Sequence, residues 1–163
     1  MDLSQAQTLA QEIVDRLAPY CERIEVAGSI RRQKPFPRDI DIILIPKNQG
    51  TLAMALQSLG EPRRGGRKLE ERLYRGVQVD IYFATPETWA TLLLIRTGST
   101  AHNVELATLA KRRGWHLYAD GRGLFNERGE RIAGETEASF FKAFGLPYSA
   151  PAEREGPVRR CGH

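Results

Sequence analysis

Apolar residues recur at helical spacing along the first seventeen positions of the chain. The stripe consists of Leu3, Ala6, Leu9, Ala10, Ile13, Val14 and Leu17. Steps of three and four residues bring these side chains onto one face of a helix. Asp2 or Ser4 can cap its start, and Pro19 prevents its continuation. The pattern therefore predicts an amphipathic helix over residues 3–17.

Four short segments follow this helix and predict strands. They cover residues 24–27, 40–45, 68–74 and 77–83, and the segment 40–45 is rich in β-branched residues. Arg75 and Gly76 fit a tight hairpin turn between the last two runs, whereas Pro35 and Pro37 favour a loop over 33–38. A short helix over 51–59 ends at Gly60. Residues 1–90 thus predict a mixed sheet with flanking helices.

The second half of the chain has a different pattern. Helices are predicted over 87–96, 101–113 and 137–144, and short strands over 115–118 and 123–125. Thr97, Gly98 and Ser99 form the turn between the first two helices. From Pro147 onward, proline and glycine predict an extended segment. The fold class is therefore α+β, with a first lobe over 1–90, a small α+β lobe over 91–148 and a tail over 149–163.

Composition fits an ordinary globular protein, with 41% hydrophobic and 27% charged residues. No apolar run is long enough to span a bilayer, and the N-terminus lacks a signal-peptide pattern. We therefore expect a cytoplasmic, monomeric protein without membrane partners. Cys21 and Cys161 lie far apart and outside any Cys/His cluster, so no zinc site, disulfide or catalytic role is predicted for them.

The net charge of +4 is moderate, but its carriers are mostly arginines, 19 against five lysines. Planar guanidinium groups suit phosphate contacts. Clusters occur near residues 31–38, 63–68 and 111–113. This distribution favours a polyanionic partner, although a solvated basic surface accounts for the total charge equally well.

Three aspartates stand out because they interrupt apolar strands. Asp39 and Asp41 occur in RDIDIILIP, and Asp80 occurs in VQVDIYF. Carboxylates at i and i+2 on a strand point to one face, and a third on a neighbouring strand can join them. Asp39 also fits a turn cap. Buried carboxylates need partners, and hard divalent cations supply them.

A Gly-Ser turn precedes this acidic pair by ten and twelve residues. Gly28 and Ser29 end a predicted strand and lead into Arg31 and Arg32. Glycine lets the backbone approach a ligand, and exposed amides with a hydroxyl can hold phosphate oxygens. The combination predicts a nucleotidyltransferase.

The chemistry expected of this set is an in-line displacement assisted by two Mg²⁺ ions, for which Mn²⁺ can substitute. Asp39, Asp41 and Asp80 are the predicted catalytic and metal-binding residues, and Asp80 is the candidate general base. Gly28, Ser29 and Arg32 are predicted to bind the triphosphate.

VAGSIRR, RDIDIILIP and VQVDIYF resemble the palm of family X DNA polymerases, the polymerase-β-like group. RTGSTAHN at 96–103 resembles the TGS motif of that family's nucleotide-binding lobe, and the similarity continues through YADGRGLF, IAGETEASFFKAFGLPY and PAERE. It covers about residues 3–155, in the family's order. The resemblance implies a minimal form with palm and C-terminal lobe only.

The resemblance also implies roles for residues of the second lobe. The backbone around Thr97 and Gly98 would contact the sugar, and Asn103 the minor-groove edge of the incoming base. His102 is a further candidate for nucleotide contact, or a surface residue of the helix. Departures from the family pattern are Ile95 and Arg96 before TGS, Tyr82 after the third aspartate, and Thr100.

The function implied is a DNA-directed DNA polymerase that extends a primer 3′-hydroxyl, with short-gap filling in repair as its role. Its partners would be gapped or primer-template DNA and nucleoside triphosphates. Two alternatives stay open: a nucleotidyltransferase with a non-DNA acceptor, or a template-independent nucleotide-adding enzyme. A DNA-binding module without catalysis is the third reading.

Overall fold

The computed structural model describes residues 1–156 and residue 158 of this chain. The chain divides into two compact units, the first over Met1–Thr85 and the second from Pro86. Each unit has its own buried core. The two units are therefore described separately.

The first unit opens with helix α1 (Leu3–Leu17), which confirms the prediction from the apolar stripe. Asp2 caps it: its side chain accepts from the Gln5 amide at 2.8 Å, and the Gln5 side chain accepts from the Asp2 amide at 2.9 Å. This reciprocal capping box fixes the first residue of the helix. Its buried side chains are Ala6, Ala10, Ile13 and Leu17.

A five-stranded mixed sheet forms the centre of the first unit. Its strands are β1 (Cys21–Ala27), β2 (Ile40–Pro46), β3 (Glu61–Arg64), β4 (Leu69–Tyr74) and β5 (Val77–Phe83). The spatial order is β1-β2-β5-β4-β3. Only β2 and β5 pair in parallel; the other neighbours are antiparallel. The predicted mixed sheet is thereby confirmed.

Two helices connect the first strands, and their starts follow from local chemistry. The four-residue α2 (Gly28–Arg31) follows β1 directly. Helix α3 (Gln49–Gln57) begins two residues before the predicted position, because the Asn48 side chain accepts from the Gly50 and Thr51 amides. That cap supplies the acceptor which the first helical amides need.

One strand of this unit was not predicted. Strand β3, with the sequence EPRR, is exposed along its whole length and carries no apolar alternation. It lies at the edge of the sheet, where a proline is tolerated. Its pairing with β4 therefore comes from chain connectivity rather than from a hydrophobic pattern.

The described residues of the second unit form three α-helices and a small sheet. The helices are α4 (Trp89–Thr97), α5 (Thr100–Arg112) and α6 (Glu137–Phe144). Strands β6 (His116–Tyr118), β7 (Gly123–Phe125) and β8 (Arg131–Ala133) form an antiparallel sheet. Strand β8 was not predicted, because its three residues are too few for a periodic signal. The core includes Leu94, Leu106, Leu124, Phe140 and Phe141.

The prediction of an extended tail from residue 149 is wrong for the part that the structure describes. Residues Pro151–Glu153 form a 3₁₀ turn, and the side chain of Arg154 is completely buried. Its guanidinium donates to the Ser149 carbonyl at 2.9 Å and to Glu137 Oε2 at 2.6 Å. A buried ion pair thus holds this segment against α6. Pro157 and residues 159–163, with Cys161 among them, lie outside the described residues.

Cys21 is buried at the start of β1. Burial raises the pKa of its thiol to about 11, because the thiolate would lose its hydration. The thiol therefore stays protonated at neutral pH, consistent with a packing role. Among the described residues, no helix combines the length and apolar character that crossing a membrane requires.

The Arg154–Glu137 pair leads to a stability prediction. Glu137→Ala leaves a fully buried guanidinium without its carboxylate, so we expect a loss of about 3–5 kcal/mol in the free energy of unfolding, measured by urea denaturation. Glu135→Ala is the matched control, since its pair with Arg131 is exposed and long, 3.8 Å. It should cost under about 1 kcal/mol. Equal losses for the two variants would contradict this assignment.

Candidate active site

The parallel pairing of β2 with β5 sets two of the three predicted carboxylates side by side. Asp41 and Asp80 are register partners across the two strands. Neighbouring strands lie about 4.8 Å apart, and residues opposite each other point to the same face. Both side chains are half-buried, although Ile40 and Ile81 next to them are fully buried. The strands therefore bring Asp41 and Asp80 together on the face opposite the α1 core.

The Gly-Ser turn lies directly against Asp41. Gly28 has φ of +63°, a left-handed conformation that glycine adopts most readily. A Cβ at this position would overlap Asp41 Oδ2 and would lie 2.9 Å from its Cγ. The absence of a side chain at Gly28 is thus what gives the Asp41 carboxylate its space. The following Ser29 and Arg32 are half-buried.

Asp80 has a neighbour that the sequence interpretation missed. Gln78 donates from its side-chain amide to Asp80 Oδ1 at 3.0 Å. The two residues are i and i+2 on β5, so their side chains share a face. This hydrogen bond orients the Asp80 carboxylate through one of its two oxygens. The i, i+2 spacing was the signal available in the sequence.

A third acidic side chain lies on the other flank of Asp80. Glu71 on β4 is its register partner, and it forms an ion pair with Arg64 at 3.6 Å. Directly opposed like charges destabilise a sheet, and a cation at one end offsets that repulsion. Glu71 went unnoticed in the sequence because β4 reads as an amphipathic strand with several charged positions.

Asp39 lies just before β2 and is exposed. The described residues include no group of three or more His, Cys, Asp or Glu side chains arranged to hold a metal ion. The structure therefore pairs Asp41 with Asp80, and joint metal binding by all three aspartates stays a prediction. The donor set itself consists of carboxylate oxygens, which are the ligands that Mg²⁺ and Mn²⁺ accept.

In the second unit, the predicted turn joins α4 to α5. Thr97 and Gly98 are buried, and Gly98 has φ of +72°. Ser99 caps α5 by accepting from the His102 amide at 3.2 Å. The Ser99 amide donates to the Arg154 carbonyl at 2.9 Å, and its hydroxyl donates to the Glu155 carbonyl at 3.2 Å. The turn is thus fixed by the segment that follows α6.

Asn103 lies one turn into α5 and is half-buried. Its amide nitrogen donates to the Ile95 carbonyl at 2.7 Å. The amide oxygen is buried and makes no hydrogen bond. The side chain therefore bridges the two helices through its nitrogen, and its oxygen is the end with unused hydrogen-bonding capacity.

The structure contradicts both predictions for His102, a nucleotide contact and a surface residue of the helix. It is completely buried, with its ring 5.8 Å from that of Phe141, so it is neither a surface residue nor accessible to a nucleotide here. Burial and the nearby Arg154 lower its pKa to about 4, partly opposed by Glu105. Both ring nitrogens lack hydrogen bonds. Because histidine is polar, the sequence did not indicate that position 102 of α5 is buried in the core.

Comparison with known proteins gives matches in both units. Residues 92–155 match the DNA polymerase beta thumb family. The chain is 30% identical over 158 residues to the DNA polymerase/3′-5′ exonuclease PolX of Bacillus subtilis (strain 168), covering 92% of this chain and 28% of that protein. Rat DNA polymerase lambda is 28% identical over 162 residues, covering 78% of this chain and 28% of that protein. The chain spans little more than a quarter of these relatives.

Solved structures give the fold. Leishmania infantum polymerase beta in a ternary P/T complex superposes with a TM-score of 0.80 at 20% identity, covering 95% of this chain and 76% of that one. The ternary gap complex of the same protein gives 0.81 at 20% identity, covering 95% and 70%. With the thumb match and the relatives above, these likenesses show that the chain is similar to family X DNA polymerases.

Proposed function

We propose that this chain is an enzyme, a nucleotidyltransferase that acts as a DNA-directed DNA polymerase and adds nucleotides from nucleoside triphosphates to a primer 3′-hydroxyl, with release of pyrophosphate. The observation that carries the proposal is the register pairing of Asp41 with Asp80 beside a glycine that leaves room for the Asp41 carboxylate. A catalytic charge centre needs such fixed acidic groups next to a backbone that a phosphate can approach.

Asp39, Asp41 and Asp80 would hold two Mg²⁺ ions, with Mn²⁺ able to substitute. Their fit rests on the all-oxygen donor set and on the adjacency of Asp41 and Asp80. When bound, such ions neutralise phosphate charge and lower the pKa of an attacking hydroxyl. Asp39, which is exposed just before β2, would join the other two carboxylates once nucleotide is present.

The chain's own residues would supply positioning and proton transfer. Asp80 would accept the proton of the primer 3′-hydroxyl, and Gln78 would hold its carboxylate in place by the 3.0 Å hydrogen bond. Ser29 and Arg32 would bind the triphosphate, with Gly28 allowing close approach of the backbone. A guanidinium suits this role because it makes bidentate contacts with phosphate oxygens.

The second unit would bind the sugar and base of the nucleotide. The backbone at Thr97 and Gly98 would contact the sugar, in a turn that the Ser99–Arg154 hydrogen bond fixes. Asn103 would present its amide to the minor-groove edge of the incoming base. Its nitrogen donates to the Ile95 carbonyl, so this hydrogen bond would be exchanged for one to the base on nucleotide binding.

Short-gap filling in DNA repair is the role that this activity would serve, with gapped or primer-template DNA and nucleoside triphosphates as partners. The structural neighbours are polymerase beta in a ternary gap complex and in a ternary P/T complex, which supports this proposal. Primer extension on gapped, open-template and single-stranded DNA tests it directly. Extension only with a template supports the proposal. Extension of single strands would indicate a template-independent enzyme, and incorporation into none would contradict the proposal.

Substitution of Asp80 tests its assignment. Asp80→Asn keeps the shape and removes the charge, so single-nucleotide incorporation should fall by about two to four orders of magnitude. The measurement is single-turnover extension of a gapped primer. Glu25→Gln on β1 is the matched control, since that side chain is exposed on the same sheet. Wild-type rates for Asp80→Asn would exclude the role given to this residue.

Gly28 and Gly76 have similar φ angles, so substituting each of them distinguishes backbone strain from steric overlap with Asp41. Gly28→Ala introduces a methyl group onto the Asp41 carboxylate, whereas Gly76→Ala, at φ of +77°, meets nothing within 4 Å. Both should lose about 1–2 kcal/mol of stability, because each residue is held at positive φ. Only Gly28→Ala should also abolish extension. If both variants kept wild-type extension rates, contact with Asp41 would be irrelevant to catalysis.

DNA binding should be weak and strongly dependent on salt, because exposed arginines would supply it through phosphate contacts. The logarithm of the affinity should fall linearly with the logarithm of salt concentration, with a slope of about −0.9 per phosphate contacted. Fluorescence anisotropy with gapped DNA between low and physiological salt measures this slope. An affinity that stays flat would rule out a phosphate-dominated interface.

A further inference from the structure

The loop between α2 and β2 exposes an aromatic side chain. Phe36 is 75% exposed, the largest value for any large apolar side chain among the described residues. Single exposed apolar residues are common on proteins and need no explanation by themselves. The setting of Phe36 differs from that background in rigidity, charge and position, and each of these points to the same kind of ligand.

The backbone that carries Phe36 is constrained on both sides. Pro35 and Pro37 flank it, and the proline ring fixes φ at each. Pro37 is buried, whereas Phe36 is not. On the N-terminal side, the amides of Gln33 and Lys34 donate to the carbonyls of Ile30 and Ser29 at 2.9 and 3.0 Å. The ring is therefore presented by an ordered loop, which lowers the entropic cost of stacking on it.

The charges near Phe36 are mainly basic. Within five positions of it along the chain lie four cationic residues, Arg31, Arg32, Lys34 and Arg38, and two carboxylates, Asp39 and Asp41. An apolar protein partner would have to cover these charges, which is costly. A nucleic acid strand has the complementary chemistry, since a base offers a flat face to the ring while its phosphates face the cations.

The loop is also continuous with the proposed active site. It runs from the Gly28–Ser29 turn to Asp39, only three residues after Phe36. Three residues span at most about 11 Å, which is about three base steps of a DNA strand. A base stacked on Phe36 therefore belongs to DNA that passes next to the acidic residues.

We propose that Phe36 is a stacking platform for an unpaired base of single-stranded DNA adjoining the active site. The inference rests on the proposed function for the identity of its ligand. A stacked base is held by its π-face, so the contact is tolerant of sequence. A gap or an unpaired template overhang supplies such a base, and a blunt duplex does not.

Binding measurements with four variants test this platform. Fluorescence anisotropy compares a labelled single-stranded oligonucleotide, a duplex with a single-stranded overhang and a blunt duplex, without nucleoside triphosphates. Phe36→Ala and Phe36→Leu should bind the first two DNAs about 5- to 100-fold more weakly and the blunt duplex unchanged. Phe36→Trp should bind at least as tightly as the wild type. Met54→Ala, at a side chain 72% exposed on α3, is the matched control and should have no effect.

The salt dependence gives a second readout. Phe36→Ala removes no phosphate contact, so the slope of affinity against salt should equal that of the wild type. Unchanged affinity of Phe36→Ala for unpaired DNA would overturn the proposal, as would an equal loss for blunt duplex. Weaker binding of free deoxythymidine triphosphate with unchanged DNA binding would also overturn it, because the ligand would then be the free nucleotide.

Separate outcomes distinguish this inference from the proposed polymerase function. A loss of single-strand binding in Phe36→Ala, in a chain that extends no primer, would contradict only the polymerase activity. Normal primer extension with single-strand binding independent of Phe36 would contradict only the stacking platform. Circular dichroism of each variant checks that the fold is retained, which the exposure of Phe36 leads us to expect.

Discussion

The parallel pairing of β2 with β5 is the contact on which the proposed active site depends. It sets Asp41 opposite Asp80 although two carboxylates side by side repel each other. The opposite face of the same strands buries Ile40, Ile42 and Ile81 completely, and each such side chain contributes about 1.5–3 kcal/mol. A slip of one residue would turn the carboxylates into the core and the isoleucines out of it. Hydrophobic packing thus holds the Asp41 and Asp80 carboxylates side by side in spite of their mutual repulsion.

The second unit shows how a buried charge can organise a turn. The Arg154 side chain pairs with Glu137 in the interior, and the Arg154 backbone carbonyl accepts a hydrogen bond from the Ser99 amide. The turn through Gly98 is thereby fixed by a segment more than fifty residues further along the chain. A buried ion pair is weak evidence for stability, because desolvation opposes it. Its value here is geometric: it links the C-terminal segment to the turn proposed to contact the sugar.

Strong periodic patterns made part of this structure predictable from sequence. The stripe in α1 and the β-branched run of β2 predicted the correct elements, and the motifs around Asp41 and Asp80 indicated the similarity to family X polymerases. The rest depended on tertiary context. Strand β3 carries no apolar alternation, and His102 and Arg154 are polar residues in core positions. The proline and glycine content predicted an extended tail that includes Arg154. No local sequence feature indicates that Arg154 pairs with Glu137. The Gln78–Asp80 hydrogen bond needed the strand to be known first.

We propose that Asp41 and Asp80 work as one charge centre. A double-mutant cycle tests it, with Asp41→Asn, Asp80→Asn and the double variant compared in single-turnover nucleotide incorporation. Residues that act as a unit have non-additive effects. If the two carboxylates act together, the double variant should be about as slow as the slower single variant. Rate losses that multiply independently, or a single variant that retains wild-type activity, would contradict it.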